Sequence, residues 1–150
     1  MIKGRGKLVA ISAALACGAA TLVPMSSALA YISPPLVLLG EAQGPASLVA
    51  SGAAVDVPVE YTCNADSMYI GVSLSQAAKK GMVASGSGST VVPCDARTHR
   101  VLVRVRADAS GVAFAKGNAA AGVDVFGCYT KGGKSLCGDD TTERTIKLKK

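Results

Sequence analysis

The segment "AVDVPVEYTC", residues 54–63, alternates without a break: Val55, Val57, Val59, Tyr61 and Cys63 share one side of an extended chain, and Asp56, Pro58, Glu60 and Thr62 share the other. Successive side chains of a strand point to opposite faces, so this period of two specifies a strand with one apolar and one wet face. The alternation returns as Met68, Ile70, Val72 and Leu74 in "MYIGVSLSQ", and as Val101, Val103 and Val105 in "RTHRVLVRVRA". "NAAAGVDVFGCYT" and "ERTIKLKK" supply two further strands, and two short edge strands are expected near residues 36–39 and 46–50. No segment keeps a helical period. Six to eight strands with closely spaced turns predict an all-β fold, an antiparallel β-sandwich of about seven strands, with a closed barrel as the alternative.

The punctuation between strands agrees with this. "KGGK" turns a hairpin, because paired glycines accept the positive φ angles of a two-residue turn. "DART" reads as a tight turn in which Asp95 accepts hydrogen bonds from the backbone beyond it. "AAKKG" is a turn, and "SGSGST" is expected to be a flexible loop interrupting a strand that recovers at Val91. Pro58 lacks an amide proton, so its strand should lie where that hydrogen bond is not needed. The interior must be aliphatic, since tryptophan is absent and Phe114 and Phe126 are the only phenylalanines.

The beginning of the chain reads as a secretory leader. Lys3, Arg5 and Lys7 precede the apolar run "LVAISAALACGAATLV", and "SSALA" offers the small residues that a signal peptidase accepts, placing cleavage after Ala30. Lipid attachment at Cys17 is the rival reading of "ALAC". The run is too short and broken for a membrane span, which needs about 20 apolar residues, and no later segment is long enough. Residues 31–44 then form a lead-in and 45–150 the β domain. Loss of the three leader cations takes the net charge from +6 to +3, a balance that serves solubility and excludes a strong polyanion footprint.

Four cysteines remain after the leader: Cys63, Cys94, Cys128 and Cys137. An even number in an exported domain of this size reads as two disulfides. Cys63 with Cys94 and Cys128 with Cys137 are the shortest closures. Cys63 with Cys128, leaving Cys94 to Cys137, is the second possibility, matching the separation of an inter-sheet bridge.

The "VxVPVxYTC" strand, the later "PCDxxxH" and a small-residue strand running into a closely spaced cysteine pair resemble small secreted immunoglobulin-like domains of actinobacteria over residues 45 to 149. The resemblance implies an immunoglobulin-like sandwich. Such domains include antibiotic carriers and surface modules, and no site residue carries over.

Chemistry is sparse. His99 is the only histidine; it falls on the valine face of its strand, and no G-x-S-x-G elbow accompanies it, so it is expected to be a partly buried, hydrogen-bonded side chain. "SGSGST" lacks the lysine of a phosphate loop. "GDDTTE", with Asp139, Asp140 and Glu143, lacks calcium-loop spacing and is expected to be an acidic turn. Neither C-x-x-C nor zinc-ligand spacing occurs. No cofactor, metal or enzymatic activity is expected.

Two features remain as candidate surfaces. Arg100, Arg104 and Arg106 lie on one face of a strand, about 7 Å from one alternate residue to the next. Joined by Lys147 and Lys149 of the last strand, they would form a cationic patch for an anionic cell-envelope polymer, lipid headgroups or an acidic protein; standing alone, they are the wet side of a sheet and a guard on its edge. Nucleic acid is not expected, because the charge is low and aromatic platforms are few. In "CYTKGGKSLC", Tyr129, Lys131 and Lys134 would form a disulfide-closed recognition loop. The sequence thus predicts a secreted, non-enzymatic binding module at the cell surface, with a secreted disulfide-stabilised protease inhibitor as the alternative.

Overall fold

The computed structural model describes residues 35–109 and 111–150; the leader, its cleavage site, Cys17 and the first part of the lead-in lie outside the described residues. Eight strands follow: β1 (Leu38–Ala42), β2 (Ala46–Val49), β3 (Ala54–Cys63), β4 (Ser67–Ala77), β5 (Val83–Pro93), β6 (Thr98–Ala107), β7 (Gly117–Lys131) and β8 (Lys134–Lys149). The alternating residues fall as their period requires. Val55, Val57, Val59, Met68, Ile70, Val72, Leu74, Val103, Val105, Val123 and Val125 are buried together, with Ile146 and Leu148 from the last strand. Phe114 enters this core from the loop after β6, whereas Phe126 stays outside.

The strands do not form the expected antiparallel immunoglobulin-like sandwich. The sheet closes into a seven-stranded mixed barrel, β3–β2–β8–β7–β4–β5–β6 and back to β3, with β1 alongside β3. Two short joints make the closure. β2 runs parallel to β8 through Ala46 opposite Leu148 and Ser47 opposite Lys149. β5 meets β6 through Gly86 opposite Ala107 and Ser87 opposite Arg106. The second joint requires glycine: a Cβ on Gly86 or Gly88 would run into the carbonyl oxygens of Arg106 and Arg104. The Gly/Ser stretch expected as a flexible loop is therefore continuous strand, with glycine where two backbones close on each other.

β1 falls inside the segment read as a lead-in, yet it pairs with β3 from Leu38 opposite Cys63 to Ala42 opposite Val59. β2 continues along the same side of β3, from Ser47 opposite Asp56. Pro58 sits at the break between them. Its carbonyl accepts from the Gln43 amide at 2.7 Å, and the N and O of a strand residue point the same way, so the nitrogen without a proton faces the gap where β1 has ended and β2 has not begun. The acidic "GDDTTE" is not a turn but part of β8, because β7 offers it a partner at every residue, including Phe126 for Asp139 and Asp124 for Thr141.

The disulfides join Cys63 to Cys94 and Cys128 to Cys137. The first fastens the end of β3 to the turn between β5 and β6. The second bridges directly opposed residues of the β7–β8 hairpin, whose turn is Gly132 and Gly133 at φ 58° and 74°. Among the described residues one polar side chain is buried: Gln76 donates to the Ala115 carbonyl at 2.9 Å and accepts from the Ala115 amide at 2.8 Å, which holds the β6–β7 loop to β4. No helix among the described residues is long and apolar enough to cross a membrane.

Candidate functional site

The arginine strip faces outward, but it is largely neutralised. β6 pairs with β3 along its whole length, and this register sets Arg104 opposite Asp56 and Arg100 opposite Glu60. Arg104 donates Nε and Nη2 to the two oxygens of Asp56 at 2.7 and 2.9 Å. This fork holds the Asp56 carboxyl below the usual carboxylate range. Arg100 approaches Glu60 at 3.6 Å. Since the odd-numbered β6 residues bond to β3, the main-chain groups of Arg100 and Leu102 point away from it, and the arginines flank an open edge that a second strand would otherwise join. Lys147 and Lys149 do not extend the strip. Lys149 is opposite Ser47, Ser47 opposite Asp56 and Asp56 opposite Arg104, so three strand spacings of about 4.8 Å intervene.

His99 is exposed rather than partly buried, although Tyr61, directly opposite it on β3, is buried. It is nonetheless held: Nε2 lies 2.8 Å from Asp95 Oδ1, and the ring rests 5.6 Å from that of Tyr61. Hydrogen bonds from His99 and from the Arg97 amide draw the Asp95 carboxyl below its usual range. Among the described residues no group of three or more His, Cys, Asp or Glu is placed to hold a metal.

In the Cys128–Cys137 hairpin, Tyr129 is half-buried, and the ladder continues past the disulfide to Lys131 opposite Lys134. A protease inhibitor presents an open, extended main chain to the protease cleft. Here both lysines sit in the ladder, and only the two glycines lie between them.

The feature that sequence reasoning missed is on the other side of the barrel. Tyr69 on β4 is opposite Val91 on β5 and Phe126 on β7, so the three form one row across three strands on the outer face. Their exposures, 64% for Val91, 45% for Tyr69 and 51% for Phe126, are large for such side chains. Contiguous exposed apolar surface marks binding sites more often than scattered single residues do. Beside the row the face is floored by small residues. Gly71 lies between Ser89 and Asp124, and Ser73 between Ser87 and Gly122. The Tyr69 ring lies back toward Gly71, with Cε1 and Oη 3.4 and 3.7 Å from where a Cβ would stand, and borders a shallow concavity of about 270 Å³. Asp124 borders the concavity and accepts from Thr141 Oγ1 at 2.9 Å. Of the arginines singled out from sequence, Arg106 reaches this face, opposite Ser87 at its margin, and Asp139 of the acidic segment lies on it opposite Phe126.

Parity alone places Tyr69 and Phe126 outward, since Met68, Ile70 and Val125 are the inward residues. The register that aligns them has no local sequence signal. Searches beyond the chain leave the face to its own chemistry: no protein-family model matches the sequence, and no curated protein matches it.

Proposed function

We propose that this protein is a secreted, non-enzymatic binding module, and that its partner lies across the outer face of β5, β4, β7 and β8. The observation that carries this reading is the aligned row of Val91, Tyr69 and Phe126 on a floor of glycine and serine. In a chain with four tyrosines and two phenylalanines, leaving one of each in contact with water and side by side forgoes burial that the core has to do without. Rings at the centre of a face with hydroxyls around them have the composition of a binding hot spot. Two disulfides and a basic, then apolar, leader support an extracellular setting. The arginine strip, with two of its three charges matched by Asp56 and Glu60, contributes sheet solubility and edge protection instead.

The test is retention of extracellular and cell-envelope components on the immobilised, disulfide-bonded protein. A Tyr69→Ser, Phe126→Ser double variant is expected to lose a component that the wild type retains, and an Arg100→Ser, Arg104→Ser, Arg106→Ser variant to keep it. The opposite pattern, or no retained component at all, overturns the proposal.

A further inference from the structure

The chemistry of the partner follows from the charges around the rings. On β7 and β8 the outer face carries Asp124, Asp139 and Glu143, all exposed; Asp139 is directly opposite Phe126 and Glu143 opposite Gly122. None of the three makes an ion pair among the described residues. The cations on this outer face stand off from them: Lys147 is four residues along β8 from Glu143, and Arg106 is on β6 at the far margin, three strand spacings of about 4.8 Å from β7. A protein of net positive charge thus sets two exposed rings on this face beside three carboxylates that make no ion pair among the described residues.

We infer that this face docks a polypeptide that presents arginine side chains. This rests on the face proposed above being the binding face. A guanidinium is planar: it stacks on the face of a tyrosine or phenylalanine and donates two parallel hydrogen bonds to a carboxylate, so one group satisfies Phe126 and Asp139, or Tyr69 and Asp124, together. An ammonium makes only the point-charge contact and loses more hydration on doing so. The shallowness of the face selects a polypeptide over a small molecule. Clefts that enclose small ligands run to roughly 300–1,000 Å³ and bury most of the ligand, whereas the concavity of about 270 Å³ beside Tyr69 is open across the sheet. Only a partner with a surface of its own covers Val91, Tyr69 and Phe126 at once.

The experiment is an NMR titration of the isotope-labelled, disulfide-bonded protein with hexa-arginine, hexa-lysine and hexa-glutamate peptides. Hexa-arginine is expected to shift the amides of Tyr69, Gly71, Asp124, Phe126 and Asp139, and to bind at least fivefold more tightly than hexa-lysine. Hexa-glutamate is expected to leave them unmoved. The isosteric Asp124→Asn, Asp139→Asn variant should weaken hexa-arginine at least fivefold while its spectrum elsewhere stays that of the wild type. Shifts confined to another face, equal affinity for the arginine and lysine peptides, or wild-type affinity in the asparagine variant each overturn the inference. The two readings separate cleanly. If ring substitution abolishes component retention but the asparagine variant titrates as wild type, the face stands and the guanidinium partner falls; if ring substitution changes neither assay, the face itself falls.

Discussion

Asp56 and Arg104 show what a single residue of the alternating pattern can and cannot disclose. Parity says that both point to water; it does not say that they meet, which depends on Val55 lying opposite Val105, fifty residues later. Because the hydrogen bonds from Arg104 hold the Asp56 carboxyl below its usual range, the pair contributes stability that is present above the unfolded carboxylate pKa and is lost as pH falls through the lower folded value. Denaturant titrations below about pH 4 should therefore show acid destabilisation in the wild type that is smaller in Asp56→Asn, and equal slopes in the two would refute the pairing. Gly88 is the converse case, a residue whose role was misread because Gly and Ser side by side resemble a loop. Its missing Cβ leaves room for the Arg104 carbonyl, so Gly88→Val is expected to cost on the order of 1–3 kcal/mol by overpacking, or more if β5 cannot shift. Thermal unfolding checks it, and an unchanged midpoint would mean that the joint between β5 and β6 yields freely.

At the scale of the element, the β7–β8 hairpin was readable because its signal is local: two glycines flanked by alternating strands fix the turn, and the turn fixes the register that sets Cys128 opposite Cys137. The other bridge spans a longer loop, from the end of β3 to the turn after β5, and the chain-entropy account gives it the larger share, about 4 kcal/mol against about 3. Replacing Cys63 and Cys94 by serine should accordingly lower the denaturation midpoint more than replacing Cys128 and Cys137, whose strands remain paired on both sides of the bridge. The reverse order would show that the hairpin, not the β3 end, limits stability. Gln76 had no such signal. It continues the outer and inner rhythm of β4 as the next inward residue, but what lets a polar group occupy that place is the loop at Ala115, thirty-nine residues away. Gln76→Leu keeps the volume and abandons the Ala115 amide and carbonyl, so it should cost about 1–3 kcal/mol and accelerate hydrogen exchange at Ala115.

For the molecule as a whole, the number of strands, the inward residues and the aliphatic core were written in the period of two, whereas closure was not, because a barrel and a sandwich place the same residues inside. What decides between them is two joints of two residue pairs each, and one of these is a parallel pairing that hairpin grammar does not anticipate. Between those joints the wall has a third kind of seam. The alternate residues of β1 bond to β3, so the main-chain groups of Leu38, Gly40 and Ala42 face β8, where side chains rather than a ladder meet them: Thr142 Oγ1 donates to the Gly40 carbonyl at 2.6 Å, and Arg144 Nη1 to the Ala42 carbonyl at 3.2 Å and to Glu41 at 2.7 Å. A wall closed by side chains should open before one closed by a ladder, with β1 lifting while β3, β4 and β7 stay paired. Thr142→Val removes the hydroxyl at constant shape. If the seam opens on its own, losing a hydrogen bond of about 1 kcal/mol should cut the exchange protection of the Leu39 and Glu41 amides, which bond to β3, roughly fivefold while that of Val72 and Val123 falls far less. Equal losses at all four amides would mean that β1 leaves only when the whole barrel unfolds, and that side chains alone seal this part of the wall as firmly as backbone pairing does elsewhere.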